Sequence, residues 1–258
     1  MSGPNQDGSG RTIRSVDISF NVIDTLQNNG KMTITELANQ LDHSKSTISS
    51  HLRTLKKRQI IVRDPEGYRL SLKILNMANR VRDQIGNYDV IREEVDKLAE
   101  DTGEIAQFGI EEHGSISYLY KSSGNNSVET ASRVGTQQPM YSTSLGKTIL
   151  AFLPADRREE IIRTMEFTPK TPKTIRSRED LLEQLDQIVD QGYGIDDEEN
   201  IEGLRCVSAP VKNDETVVGA VSLTGPASRF VDEKIHGELA DRVKRAANVI
   251  EINTKFSG

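Results

Sequence analysis

The sequence predicts a mixed fold in which a mainly α N-terminal domain carrying one β-hairpin precedes a larger, antiparallel α+β domain. Three observations lead there. Apolar residues recur at helical spacing in three segments before residue 60, strand-like and helical stretches are interleaved between residues 105 and 252, and charge is divided unevenly along the chain. Residues 1–88 hold 13 Lys and Arg against 8 Asp and Glu, whereas residues 89–258 hold 20 against 31. A chain of 258 residues suits two domains, at about 150 residues each.

In the front half, Ile13, Val16, Phe20, Ile23 and Leu26 set out a first helix, stopped by Asn28-Asn29-Gly30, residues that tolerate a left-handed cap. Thr33 or Thr35 can cap a short second helix bearing Ile34, Leu37, Ala38 and Leu41. After the turn Asp42-His43-Ser44, a third helix with Ile48, Leu52 and Leu55 as its buried stripe runs to about Arg58. Its outer face carries Lys45, Ser46, Thr47, Ser49, Ser50, Arg53, Lys56 and Lys57. Ile60 to Arg63, the turn Asp64-Pro65-Glu66-Gly67, and Tyr68 to Ser71 then read as a hairpin. Helix, tight turn, basic helix and hairpin together describe a winged helix-turn-helix, whose second helix enters the major groove of double-stranded DNA. Small hydroxyl residues let the helix approach base edges, while Lys45, Arg53 and Lys56, with Arg63 and Arg69 on the wing, neutralise phosphates. The other reading of three such helices is a protein-binding or dimerisation bundle; the hairpin and the local positive charge favour DNA.

Composition removes other classes. The longest apolar run, Ile149 to Leu153, is far below the roughly 20 residues of a membrane span. Residues 1–10 have neither the basic nor the apolar region of a signal peptide, so they read as a flexible tail and a cytoplasmic location is expected. A single cysteine, Cys206, excludes internal disulfides and cysteine-rich zinc sites.

Behind the wing, Leu72 to Gly86 reads as a linking helix, and Tyr88 to Asp101 as another. The expected domains are therefore 11–72, a linker helix over 73–87, and 88–258. In the last, 105–110, 115–120 and 127–133 are strand-like, helices are expected over about 144–153, 155–166 and 178–191, two strands over 206–212 and 216–224, and a long final helix over 231–252. Ser142 or Thr143 can cap the helix beginning near Ser144, so the amides around Ser144, Leu145 and Gly146 offer an anion site that a small carboxylate fits. Ser222 and Thr224, two apart on a strand, face the same side.

Ser44-Lys45-Ser46-Thr47-Ile48, the stretches Arg133-Val134-Gly135 and Pro139 to Lys147, Gly192 to Glu199, Gly203 to Val211, and Ser222 to Pro226 resemble the IclR-type transcriptional regulators, in the same order and across Ile13 to Asn253. The resemblance implies a GAF-like ligand-sensing second domain and dimers or tetramers acting on promoter DNA. It also implies effector contacts from Ser144, Leu145, Asp196, Cys206, Ser222 and Thr224, with no cofactor and no metal. Two departures stand out. Ser50 occupies a position where many members carry Arg, leaving His51 and Arg53 to compensate, unless His51 packs against the Ile48 and Leu55 stripe. Asp196 repels a carboxylate unless it accepts a hydrogen bond from a hydroxyl or amine instead.

Enzymatic readings are weaker. Leu145-Gly146-Lys147-Thr148 matches the end of a phosphate-binding loop, but Tyr141 stands where its first Gly belongs. Cys206 with His113 or His236 as base, a small-molecule hydrolase joined to a DNA-binding module, is the alternative function.

Overall fold

The computed structural model describes residues 12–85 and 87–255; the tail expected over residues 1–10 lies outside them. The chain divides into two units, one ending at Ile85 and one following it. The first holds α1 (Arg14–Asn29), α2 (Ile34–Gln40), α3 (Lys45–Lys57), β1 (Ile61–Asp64), β2 (Gly67–Leu70) and α4 (Lys73–Asp83). Thr33 is the cap of α2, and the cap is reciprocal: its Oγ1 accepts the Glu36 amide at 3.3 Å while the Glu36 carboxylate accepts the Thr33 amide at 2.7 Å. Ser44 caps α3 by accepting the Thr47 amide at 3.1 Å. Ile48, Leu52 and Leu55 of α3 close on Leu37 and Ala38 of α2 and on Ile18, Val22 and Leu26 of α1.

Two expectations for this unit change. The buried stripe of α1 is Ile18, Val22 and Leu26, whereas Ile13, Val16 and Phe20 are exposed. At about 100° per residue, 18, 22 and 26 share one face, and the other three form a second apolar strip on the outside. The linking helix is shorter than Leu72–Gly86: α4 ends at Asp83 and buries none of its residues.

The second unit runs α5 (Tyr88–Thr102), β3 (Ile105–Glu112), β4 (Ser115–Ser123), β5 (Gln137–Pro139), α6 (Ser144–Phe152), α7 (Ala155–Arg163), α8 (Arg178–Gln191), β6 (Gly194–Asp197), β7 (Leu204–Asn213), β8 (Thr216–Pro226), α9 (Asp232–Lys234) and α10 (Ala240–Lys255). Its sheet has the order β5-β4-β3-β8-β7-β6 with every pair antiparallel, consistent with a GAF-like domain. The strand expected over 127–133 is absent. That stretch is irregular because its polar groups are taken elsewhere: Lys121 Nζ donates to Thr130 Oγ1 and to the Ser132 carbonyl, both at 2.8 Å, and Gln107 Nε2 to Ser132 Oγ at 2.9 Å. The edge of β4 is instead paired by Gly135, Thr136 and β5. In the reverse sense, Gly194–Asp197, for which no strand was expected, forms edge strand β6. The final helix is interrupted by a π-helical turn over Ile235–Leu239, and the helix expected over 155–166 stops at Arg163.

Two glycines let α6 reach the sheet. A Cβ on Gly146 would lie 2.3 Å from the Met140 carbonyl oxygen, and one on Gly194 would lie 2.3 Å from Thr148 Oγ1. With both absent, Thr148 Oγ1 meets Ser208 Oγ at 2.8 Å, and the N-terminus of α6 comes to rest against β6 and β7.

Candidate functional site

Register decides what this face of the sheet presents. Asp196 of β6 stands opposite Cys206 of β7, and Cys206 opposite Thr224 of β8. One row along, Ser208 stands opposite Ser222, and Ser222 opposite Gln107 of β3. Side chains two residues apart share a face, so both rows look the same way. All but Ser208, which is taken by Thr148, form the floor of a cavity of about 570 Å³, whose wall includes Ser144 and Leu145 at the start of α6. All six residues expected around a ligand, Ser144, Leu145, Asp196, Cys206, Ser222 and Thr224, line it. Gln107, Tyr118, Thr130, Ser132, Gln138 and Asn200 line it as well and were not expected. Gln107 carried a readable signal, a lone amide between Ala106 and Phe108 in an otherwise apolar strand. Gln138 and Asn200 carried none; they are bridged by Lys170 Nζ, which donates to both at 2.7 Å.

At the start of α6, Thr143 caps with its Oγ1 on the Gly146 amide at 3.1 Å, and its carbonyl accepts the Lys147 amide. The Ser144 and Leu145 amides have no acceptor within the helix, and the helix dipole favours negative charge there. Ser144 and Ser222 are buried to within 2% of full coverage, line the cavity, and their hydroxyls make no hydrogen bond to protein among the described residues. Across from them, Asp196 Oδ1 accepts the amides of Glu199 at 2.7 Å and Asn200 at 3.3 Å. Its Oδ2 meets the Cys206 thiol at 3.6 Å, and that sulfur accepts from Thr224 Oγ1 at 3.1 Å. Burial pushes the Asp196 carboxyl up to about 7 against the favourable charge of Lys147. Burial, and then the Asp196 charge, push the Cys206 thiol well above its ordinary range. Lys147, wholly buried, pairs with Glu199 and donates to Gln184 Oε1 at 2.6 Å, so it is not a phosphate-binding lysine.

In the first unit, Lys45, Ser46, Ser50, Arg53 and Lys56 are exposed along one side of α3, with Thr47 and Ser49 half-buried. Lys45, Arg53 and Lys56 make no ion pair among the described residues. The wing arginines differ from one another. Arg63 lies over the Tyr68 ring at 5.8 Å, whereas Arg69 is held by Asp64 at 3.0 Å, a carboxylate that Arg69 first and Lys31 second keep below its usual range. His51 does not look outward: its ring Nδ1 is 2.8 Å from Ser19 Oγ of α1, so it joins two helices.

The family model for the bacterial transcriptional regulator IclR C-terminal matches residues 83–252, and that for winged helix-turn-helix DNA-binding matches residues 17–62. The chain belongs to the IclR family. This IclR-family chain is 38% identical to the "probable HTH-type transcriptional regulator ArcR" of Halobacterium salinarum, over 95% of both chains. It is 32% identical to the HTH-type transcriptional regulator KdgR of Escherichia coli, over 93% of this chain and 92% of that one. Among solved structures it is similar to the Thermotoga maritima IclR, with a TM-score of 0.80 and 28% identity over 94% of this chain and 99% of the other. It is therefore a ligand-responsive, DNA-binding transcriptional regulator and not an enzyme. The hydrolase reading falls with this, and the site agrees: a nucleophile works as thiolate, the Cys206 thiol is held protonated, and His236 Nδ1 is engaged by Tyr193 at 2.7 Å.

Proposed function

We propose that the cavity between α6 and the sheet is the effector site, and that its ligand is a small organic acid carrying a hydroxyl or amine some distance from its carboxylate. The carboxylate meets the Ser144 and Leu145 amides and the Ser222 hydroxyl; the hydroxyl or amine donates to Asp196 Oδ2. Leu145 packs on the carbon skeleton, and Cys206 and Thr224 keep Asp196 in place. Residues 11–72 read DNA, 73–87 link and 88–258 sense. Lys45, Arg53, Lys56, Arg63 and Arg69 meet phosphates, while Ser46, Thr47, Ser49 and Ser50 face base edges. The working form is a homodimer or homotetramer in the cytoplasm. No helix among the described residues is long and apolar enough to cross a membrane.

The observation that carries this is the convergence of Ser144, Asp196, Cys206, Ser222 and Thr224, from four separate elements, on one concave cavity with few, convergent polar groups. Thermal-shift titration with 4-hydroxybutyrate, malate and 4-hydroxybenzoate, each beside its counterpart lacking the hydroxyl, tests it. A hydroxy acid should raise the melting temperature and its counterpart should not; Asp196→Ala should abolish the rise and leave effector-free operator affinity unchanged. Equal responses to both members of every pair, or a full response from Asp196→Ala, would refute the assignment.

A further inference from the structure

Lys147 has no part in the recognition just described, yet its side chain is fully buried, and so, nearly, is that of Glu199. Burying an ion pair carries a desolvation cost for each ion, and well-packed apolar residues in the same space are often neutral or more stabilising. The cost is plain at Glu199, whose Oε2 is buried with no hydrogen-bond partner among the described residues. Stability therefore does not explain the pair. What it touches does. Lys147 lies one turn into α6, beyond Ser144 and Leu145, and does not line the cavity. Glu199 sits three residues after Asp196, and its amide is the donor that holds Asp196 Oδ1 at 2.7 Å. Its carbonyl is fastened by Thr174 Oγ1 at 2.6 Å, so this short segment is held from both sides. We propose that Lys147 is a positioning residue for effector recognition: by clamping Glu199 it fixes where the Asp196 carboxyl stands, and its ammonium sets whether that carboxyl carries a charge when the ligand arrives. This rests on the effector reading above.

The charged and titratable groups facing Asp196 are Lys147 from α6, Glu199 from its own loop, Cys206 from β7, Tyr118 from β4 and Lys170 from the segment before α8. Cys206 and Tyr118 are held protonated, the first by burial and then Asp196, the second by burial and then Cys206 and Asp196. Lys170 lies on the solvent side and is tied to Gln138 and Asn200. That leaves the Lys147–Glu199 pair as the nearby charges of opposite effect: the ammonium favours loss of the Asp196 proton to solvent and the glutamate opposes it. Removing one partner must then move the Asp196 titration one way, and removing the other must move it the opposite way. Loosened packing would move both alike.

Cys206 supplies the probe. It is the only cysteine of the chain, and its Sγ lies 3.6 Å from Asp196 Oδ2, so a single S–H stretching band in the infrared reports the ionisation of its acceptor. The experiment follows that band with pH in the full-length, ligand-free protein. In the unaltered chain it should step once, with a midpoint at about 7, and Asp196→Asn should lose the step. Lys147→Met should raise the midpoint and Glu199→Gln should lower it, each by about one pH unit, a tenfold change in the protonation equilibrium. Lys147→Arg, which keeps the charge, should restore the original midpoint. If Lys147→Met fails to fold, Lys147→Gln takes its place and should raise the midpoint in the same way. Unchanged midpoints, shifts of the same sign, or a step that survives Asp196→Asn would overturn the proposal. No effector enters the measurement, so it can fail while the thermal-shift assignment stands, or the reverse.

Discussion

At the scale of single residues, Asp196 is a buried carboxyl whose desolvation is only partly compensated. Its carboxyl titrates at about 7 in the folded protein, against 3.8 for an ordinary aspartate, because burial penalises the charged form more than Lys147 relieves it. Between those two values the folded state holds a proton that the unfolded chain has lost, so stability falls as pH rises through this window and levels off above it. The difference is at most about 4 kcal/mol. Asp196→Asn keeps the acceptor for the Glu199 and Asn200 amides but cannot ionise. Its urea midpoint should therefore exceed that of the unaltered protein at pH 8, with the gap falling to less than half by pH 5 and vanishing only below 3.8; a gap independent of pH would contradict the assignment. The six residues proposed to meet the ligand were legible because the family-like motifs carry them, with a cap before Ser144 and the two-residue spacing of Ser222 and Thr224 as support from the residues themselves. Asn200 and Ser132 were not, since a polar residue in a loop looks the same in sequence whether it faces solvent or closes over a cavity, and Gln138 was not, since its three-residue strand has no pattern of its own.

At the scale of elements, α3 illustrates how a helix is divided between packing and binding. Ile48, Leu52 and Leu55 fix it in the core, and what remains outside is basic and small. Several of its hydroxyls are already engaged: Ser46 Oγ lies 2.8 Å from Ser44 Oγ, and Ser50 Oγ donates to the Ser46 carbonyl at 3.1 Å. On the proposed DNA-reading face, base contacts would have to replace these bonds, so Lys45, Lys56 and Arg53, which make no ion pair among the described residues, are expected to supply most of the attraction. Operator affinity should fall linearly on a log–log plot against salt. Arg53→Ala should flatten the slope by about 0.9 for each phosphate left without its counter-charge, and a variant with unaltered slope and affinity would show that Arg53 lies off the interface. Period and capping made α1 to α3, the wing and α6 readable from sequence. The edge strands were not, because Gln137–Pro139 and Gly194–Asp197 have little strand propensity of their own and take their conformation from β4 and β7.

At the scale of the whole molecule, the exposed apolar strips are the feature a lone chain leaves unexplained. Ile13, Val16 and Phe20 on α1, and Leu72, Leu75, Met77 and Val81 at and along α4, stand in solvent, and a second copy is the partner that two-fold operators call for. Light scattering at micromolar concentration should give a dimer or larger. Phe20→Glu with Leu75→Glu should move the mass toward monomer and weaken operator binding at least about tenfold, the loss expected when two half-sites are no longer read together; a fully active monomer would exclude this arrangement. The sheet itself recruits no such partner. Its two outer strands are three and four residues long; one ends in Pro139, which offers no amide, and the other carries Asp196 and Asp197. Both borders are thus poor templates for an incoming strand, which protects the chain from fibrillar stacking through its sheet.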